Sequence, residues 1–130
     1  MKVFLHFLRR TGFSGEQQKI YARVGMAVDA WLHDKGYLRP IPTVSGIAAD
    51  IGVEPDRLAE YLRRKTGKTV LGWRKGLRIE EAKRLLLDRP DLSIAAVAEL
   101  VGIGDKSNFK RQFAEMVRMS PGDWRKSHGR

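Results

Sequence analysis

At 130 residues, 42% of them hydrophobic, the chain can bury the core of one small domain or two smaller subdomains and little more. Twenty-five Lys and Arg against fifteen Asp and Glu leave a net charge of +10, which says nothing about fold but implies a polyanionic partner or membrane surface. Having no cysteine excludes disulfides, thiolate metal sites and cysteine nucleophiles together, and is compatible with a reducing cytoplasm.

The opening MKVFLHFLRR carries an apolar run, Val3 to Leu8, broken by His6 and closed by Arg9-Arg10. It is too short for a transmembrane helix and lacks the small-residue cleavage site of a signal peptide. Residues 1–13 therefore read as an N-terminal arm, a strip packing on the domain, or a cloning remnant. Ser14 with Gln17 makes a capping box, and Ile20, Val24, Ala27, Val28, Trp31 and Leu32 form one apolar stripe of a first helix that Gly36 is expected to end. Tyr37 to Pro42 then reads as an extended connector, because prolines deny helix to themselves and discourage it just before them.

From Thr43 the pattern becomes two short helices around a glycine turn. The spacing predicts a helix over Val44–Ile51, a turn at Gly52-Val53, and a helix over Pro55–Thr66, with proline in its first turn and Gly67 past its end. Thr69 caps a long helix built on Val70, Trp73, Leu77, Ala82, Leu85 and Leu86, which Arg89-Pro90-Asp91 stops. The stretch Ser93 to Phe113 repeats the first plan: Ile94, Val97 and Val101 recur at helical spacing, Gly102 turns the chain, and Asp105 caps a helix that faces Phe109 and Phe113 inward. Its other face shows Lys106, Ser107, Lys110 and Arg111, donors able to reach base edges and phosphates. Ser120-Pro121 opens a short last helix. About seven helices and no convincing strand make the chain all-α.

The two plans are copies. Ile47, Ala48, Ile51, Gly52 and Val53 precede Val97, Ala98, Val101, Gly102 and Ile103 by a constant 50 residues, Ile47 to Val97 for example. Leu58 and Leu62 precede Phe109 and Phe113 by 51, and Trp73 precedes Trp124 by the same 51. A repeat of this length points to a duplicated unit. The chain beyond the arm divides into three parts: a first helix-turn-helix over 14–68, a linker helix over 69–89, and a second helix-turn-helix over 90–130. The linker would span about 28 Å at 1.5 Å per residue, of the order of the ~34 Å between successive major-groove segments on one face of B-DNA. Two units in tandem imply an asymmetric site.

Other chemistries fail on spacing. Gly67-Lys68-Thr69 ends like a phosphate-binding loop, but the glycine needed five residues earlier is Leu62, and a helix precedes it. His6, His33 and His128 show no ligand pairing and read as surface residues. Trp73 and Trp124 sit beside apolar residues at helical spacing and read as core anchors, not stacking platforms. Neither an enzyme, nor a cofactor, nor a metal site is indicated.

From Arg78 through Ala82, Leu85-Leu86, Val97-Ala98, Val101-Gly102, Asp105, Ser107, Phe109, Phe113 and Ser120-Pro121 to Trp124-Arg125, the chain resembles the DNA-binding domain of the AraC-type transcription regulators. The resemblance covers about Gly36 to Lys126. It implies sequence-specific double-stranded DNA binding in the cytoplasm, contact with RNA polymerase and, in most members, a sensor domain ahead of this region; it implies no membrane contact. Activators of the family exist that consist of this region alone. Three departures stand out: Arg118 where the pattern has glycine, Ile103 where phenylalanine is usual, and Asn108 where an aromatic is common. Arg118 either takes a left-handed cap at a cost on the order of 1 kcal/mol, or the helix ends differently there.

The expected DNA ligands are Asp56, Arg57, Glu60, Arg63, Arg64 and Arg74 around the first unit, and Lys106, Ser107, Lys110 and Arg111 in the second. Arg63, Arg64 and Arg74 suit phosphates, and Arg111 suits a guanine, which it can bond bidentately. Glu60 reads either as an acceptor for a cytosine amino group or as a solvated acid paired with Arg63 or Arg64. The second unit is expected to read bases more strongly. The alternative to DNA is a basic helical module docking on an acidic protein or membrane surface; it accounts for the charge but not for the repeated turn.

Overall fold

The computed structural model describes residues 14–129, and the arm expected over residues 1–13, with His6, lies outside them. Every regular element among the described residues is helical, seven α-helices and one short 3-10 turn at Gly36–Leu38. The chain packs as two compact units. Among the described residues the first takes 14–36 and Ile41–Trp73; the second takes Tyr37–Pro40 and 74–129.

In the first unit, α1 (Gly15–His33) starts from the expected capping box: the Ser14 hydroxyl accepts from the Gln17 N–H at 3.2 Å, and the Gln17 side chain accepts from the Ser14 N–H at 3.0 Å. Its inward stripe is Tyr21, Val24, Val28 and Trp31. Tyr21 lies outside the expected stripe, whereas Ile20, Ala27 and Leu32 within it are only half-buried. This helix packs on α2 (Val44–Ile51) and α3 (Pro55–Thr66), which bury Ile47, Ala48, Leu58, Tyr61 and Leu62. Trp31 stacks on Trp73 with ring centroids 5.5 Å apart, and its Nε1 donates to Asp50 at 2.7 Å.

One helix end differs from expectation. α1 ends at His33 with Asp34 as its cap, and the left-handed residue is Lys35 (φ 55°), not Gly36. Gly36 is needed for a steric reason instead: a Cβ there would run into the Trp31 indole.

The long helix α4 (Val70–Asp88) begins on Thr69, whose hydroxyl accepts from the Gly72 N–H at 3.1 Å. Its first residues, through Trp73, belong to the first unit, and the rest to the second. There α5 (Ile94–Leu100), α6 (Lys106–Val117) and α7 (Pro121–His128) are each opened by the expected cap, Ser93, Asp105 and Ser120. They close over a core of Ile79, Ala82, Leu86, Val97, Ala98, Val101, Phe109, Phe113 and Trp124. Phe113 meets Trp124 edge-on at 6.1 Å. Both tryptophans are core anchors, Trp73 8% and Trp124 7% exposed. His128 is exposed but stacks on the Trp124 ring at 4.4 Å.

A strap holds the second unit's turn. Arg78 is buried, and its guanidinium donates to the carbonyls of Tyr37 (2.6 Å) and Arg39 (2.7 Å). Burial, with the neighbouring Arg74 charge, pushes its pKa down to about 10. Gly102, left-handed at φ 82°, lies under this strap: a Cβ there would collide with the Leu38 carbonyl and stand 3.0 Å from the Arg78 guanidinium. Sequence alone does not mark Arg78 as buried.

Candidate nucleic-acid interface

Each unit presents one exposed face on the second helix of its helix-turn-helix. With Leu58, Tyr61 and Leu62 buried, helical geometry turns Asp56, Glu60 and Arg63 of α3 outward. These three, with Ala59, Gly67, Lys68 and Thr69, line a shallow hollow of about 480 Å³. Arg57, exposed, is not brought to it; it lines a separate hollow with Arg23 and Val24 of α1. Arg64 is tied along its own helix, its Nε 3.1 Å from the Glu60 carboxylate.

Two groups act on the Glu60 carboxyl. The Tyr21 hydroxyl and then the Arg64 guanidinium hold its carboxyl below the usual carboxylate range. In turn, burial and the facing Glu60 carboxylate push the Tyr21 hydroxyl up to about 12. Tyr21 is 6% exposed and stands on α1, and its hydroxyl oxygen is itself buried.

In the second unit Lys106, Ser107, Lys110 and Arg111 are all exposed on α6, whereas Phe109 and Phe113 are fully buried; helical geometry sets Ser107 and Arg111 opposite the two rings. Arg111 is not loose. Its Nη2 donates to the Asn108 side-chain oxygen, and its Nη1 lies 3.4 Å from Glu115. Asn108 also accepts from Gln112 at 3.2 Å. The departure at Asn108 thus tethers the candidate base reader, a role legible only as polar partners three and four residues either side of Arg111.

Arg74 is among the residues expected to meet phosphates. It is 9% exposed, and burial lowers its pKa. It stands one turn before the buried Arg78, on the same face of α4. Among the described residues, no group of acids and histidines is placed to hold a metal ion, and no helix is long and apolar enough to cross a membrane.

The repeated glycine turn, the capped second helix and its polar outer face define the class, and a helix-turn-helix domain model matches residues 47–127. The chain is 38% identical over 108 residues to the transcriptional activator NphR of Rhodococcus sp, a match covering 83% of this chain and 30% of that protein. It is 35% identical over 82 residues to the arabinose operon regulatory protein of Salmonella typhimurium, covering 63% of this chain and 29% of that one. The chain belongs to the AraC-type family of helix-turn-helix transcription regulators. It spans about 30% of the length of these curated relatives. The fold is shared with the C-terminal domain of AraT, a response regulator from Geobacillus stearothermophilus (TM-score 0.70, 23% identity, 85% of this chain and 87% of that one). It is shared too with the DNA-binding domain of AdpA, solved with a target DNA (TM-score 0.68, 24% identity, 81% and 91%).

Proposed function

We propose that this chain binds double-stranded DNA sequence-specifically to regulate transcription, laying α3 and α6 into adjacent major-groove segments of an asymmetric site. The observation that carries the proposal is the second unit's α6, which buries Phe109 and Phe113 completely while leaving Lys106, Ser107, Lys110 and Arg111 exposed. A helix built this way offers donors to phosphates and to guanine O6 and N7. α3 repeats the arrangement with Arg63 and Lys68 at its hollow, and the net charge of +10 supplies the long-range attraction. Regulation by this route is a cytoplasmic activity that includes contact with RNA polymerase. The additional length of the curated relatives suits a sensor domain.

Salt dependence of DNA binding tests the reading. With six to ten phosphates neutralised, affinity should fall by about 10³ to 10⁵ between 50 and 200 mM salt. A nearly flat log–log slope in a mobility-shift titration would favour the basic module that docks on an acidic protein or membrane surface.

A further inference from the structure

The two recognition helices carry opposite charge at the same register. Glu60 of α3 and Arg111 of α6 lie 51 residues apart, the spacing that relates Leu58 to Phe109 and Leu62 to Phe113. One turn on, the partners are reversed as well: Arg64 pairs with Glu60, and Glu115 with Arg111. Glu60 therefore occupies in the first unit the place that a guanine reader occupies in the second.

We propose that Glu60 is a base-reading acceptor that selects cytosine, through its exocyclic amino group, at one position under the first recognition helix. This rests on the DNA-binding function proposed for the chain. Three observations lead to it. Glu60 points away from the α3 core and its side chain stays 43% exposed, so an edge in the groove can reach it. Its carboxylate is tied back along its own helix by Arg64 at 3.1 Å, which spares it part of the ordering cost that a free glutamate would meet on binding. The hollow it lines also holds Arg63 and Lys68, cations suited to the flanking phosphates, together with a second acid, Asp56.

A carboxylate amid phosphates is repelled unless a donor meets it. In the major groove only cytosine N4 and adenine N6 donate, and adenine sets the N7 acceptor beside its amino group, where it opposes a second carboxylate oxygen. Guanine and thymine present acceptors at the corresponding positions. An ionised glutamate therefore favours cytosine and penalises the other three bases. It also weakens binding to random sequence, so it gives up affinity for selectivity.

Selection from a randomised DNA pool, followed by mobility shifts on single-base variants of the selected site, tests this with the wild type, Glu60→Ala and Glu60→Gln. The wild type should select cytosine at a position on the first unit's side. Glu60→Ala should lose that preference, about 5- to 150-fold in relative affinity, equivalent to about 1–3 kcal/mol. The same variant should bind random DNA more tightly. Glu60→Gln, nearly isosteric, should move the preference from cytosine to adenine, which an amide bonds bidentately; this holds the test open if Glu60→Ala melts early. Equal gains on cytosine and non-cytosine sites, with an unchanged profile for Glu60→Gln, overturn the assignment and leave Glu60 a solvated acid. A wild type that selects no sequence overturns the DNA-binding reading itself.

Discussion

Tyr21 sets a core phenol within electrostatic reach of a surface acid. Its ring is tilted against Tyr61 with centroids 6.2 Å apart, and its buried hydroxyl feels the Glu60 carboxylate of α3. Because the folded-state pKa is raised from 10.0 to about 12, the neutral phenol is favoured in the fold. The stability this contributes is fully present below pH 10 and is lost as pH rises toward 12. Ultraviolet difference titration of the folded protein should show a phenolate step near pH 12, and Tyr21→Phe should remove it. Across the two units the two proposed kinds of DNA ligand should separate by mutation. Arg111→Ala is expected to relax preference at one base position by about 1–3 kcal/mol, and Arg63→Ala to weaken all sequences alike. Uniform loss for Arg111→Ala in binding assays on specific and random DNA would make it a phosphate ligand.

At the scale of elements, the features legible in the sequence are local ones. Helices α2 and α3 begin and end where Thr43, Pro55 and Gly67 suggest, and Ser14, Ser93, Asp105 and Ser120 each cap the helix they precede. Caps and turns are decided within three or four residues, so short-range patterns reveal them. Burial of Arg78 is not legible, because its acceptors lie 41 and 39 residues away, and neither is the influence of Tyr21 on α1 over the Glu60 carboxyl on α3. Gly36 misleads because a glycine after an apolar stripe signals a helix cap, whereas here the Trp31 ring excludes any side chain. Of the two possibilities at Arg118, the structure takes the left-handed one (φ 66°), as at Gly67 at the end of α3 (φ 74°). Nothing lies within 4 Å of a Cβ added at Gly67, so conformation alone should set the effect of substitution there. Thermal melts should show Arg118→Gly stabilising by roughly 0.5–1 kcal/mol, and Gly67→Ala destabilising by about 1 kcal/mol.

For the whole molecule, simultaneous docking of α3 and α6 requires that α4 fix the rotation of one unit relative to the other. The division of the chain between Trp73 and Arg74 marks where that can be tested outside the Ile79, Ala82 and Leu86 core, and because the Arg78 bonds to Tyr37 and Arg39 also span the junction, melting is measured alongside. One alanine inserted between Trp73 and Arg74 would rotate the later part of α4 by about 100° at 3.6 residues per turn. Affinity should then fall toward that of a single unit, with a shorter protected footprint and unchanged helicity by circular dichroism. Full affinity and an unshortened footprint in the inserted protein would end the rigid-spacer mechanism.

Residues 37–40 give the chain an interlaced order, in which the second unit claims four residues from within the sequence of the first. Units that arise by copying are commonly imagined as beads, free to be snipped apart and traded between proteins. Here no single cut releases the second bead whole. A piece starting at Arg74 would keep Arg78 but leave behind the Tyr37 and Arg39 carbonyls, stranding a buried cation with neither acceptor. It would also lose Leu38 from the margin of its core. Recombination, natural or in the laboratory, must therefore transplant the segment from Tyr37 onward, carrying α2 and α3 along as passengers. Four residues of connector thus tie the second unit's stability to the segment that precedes α2.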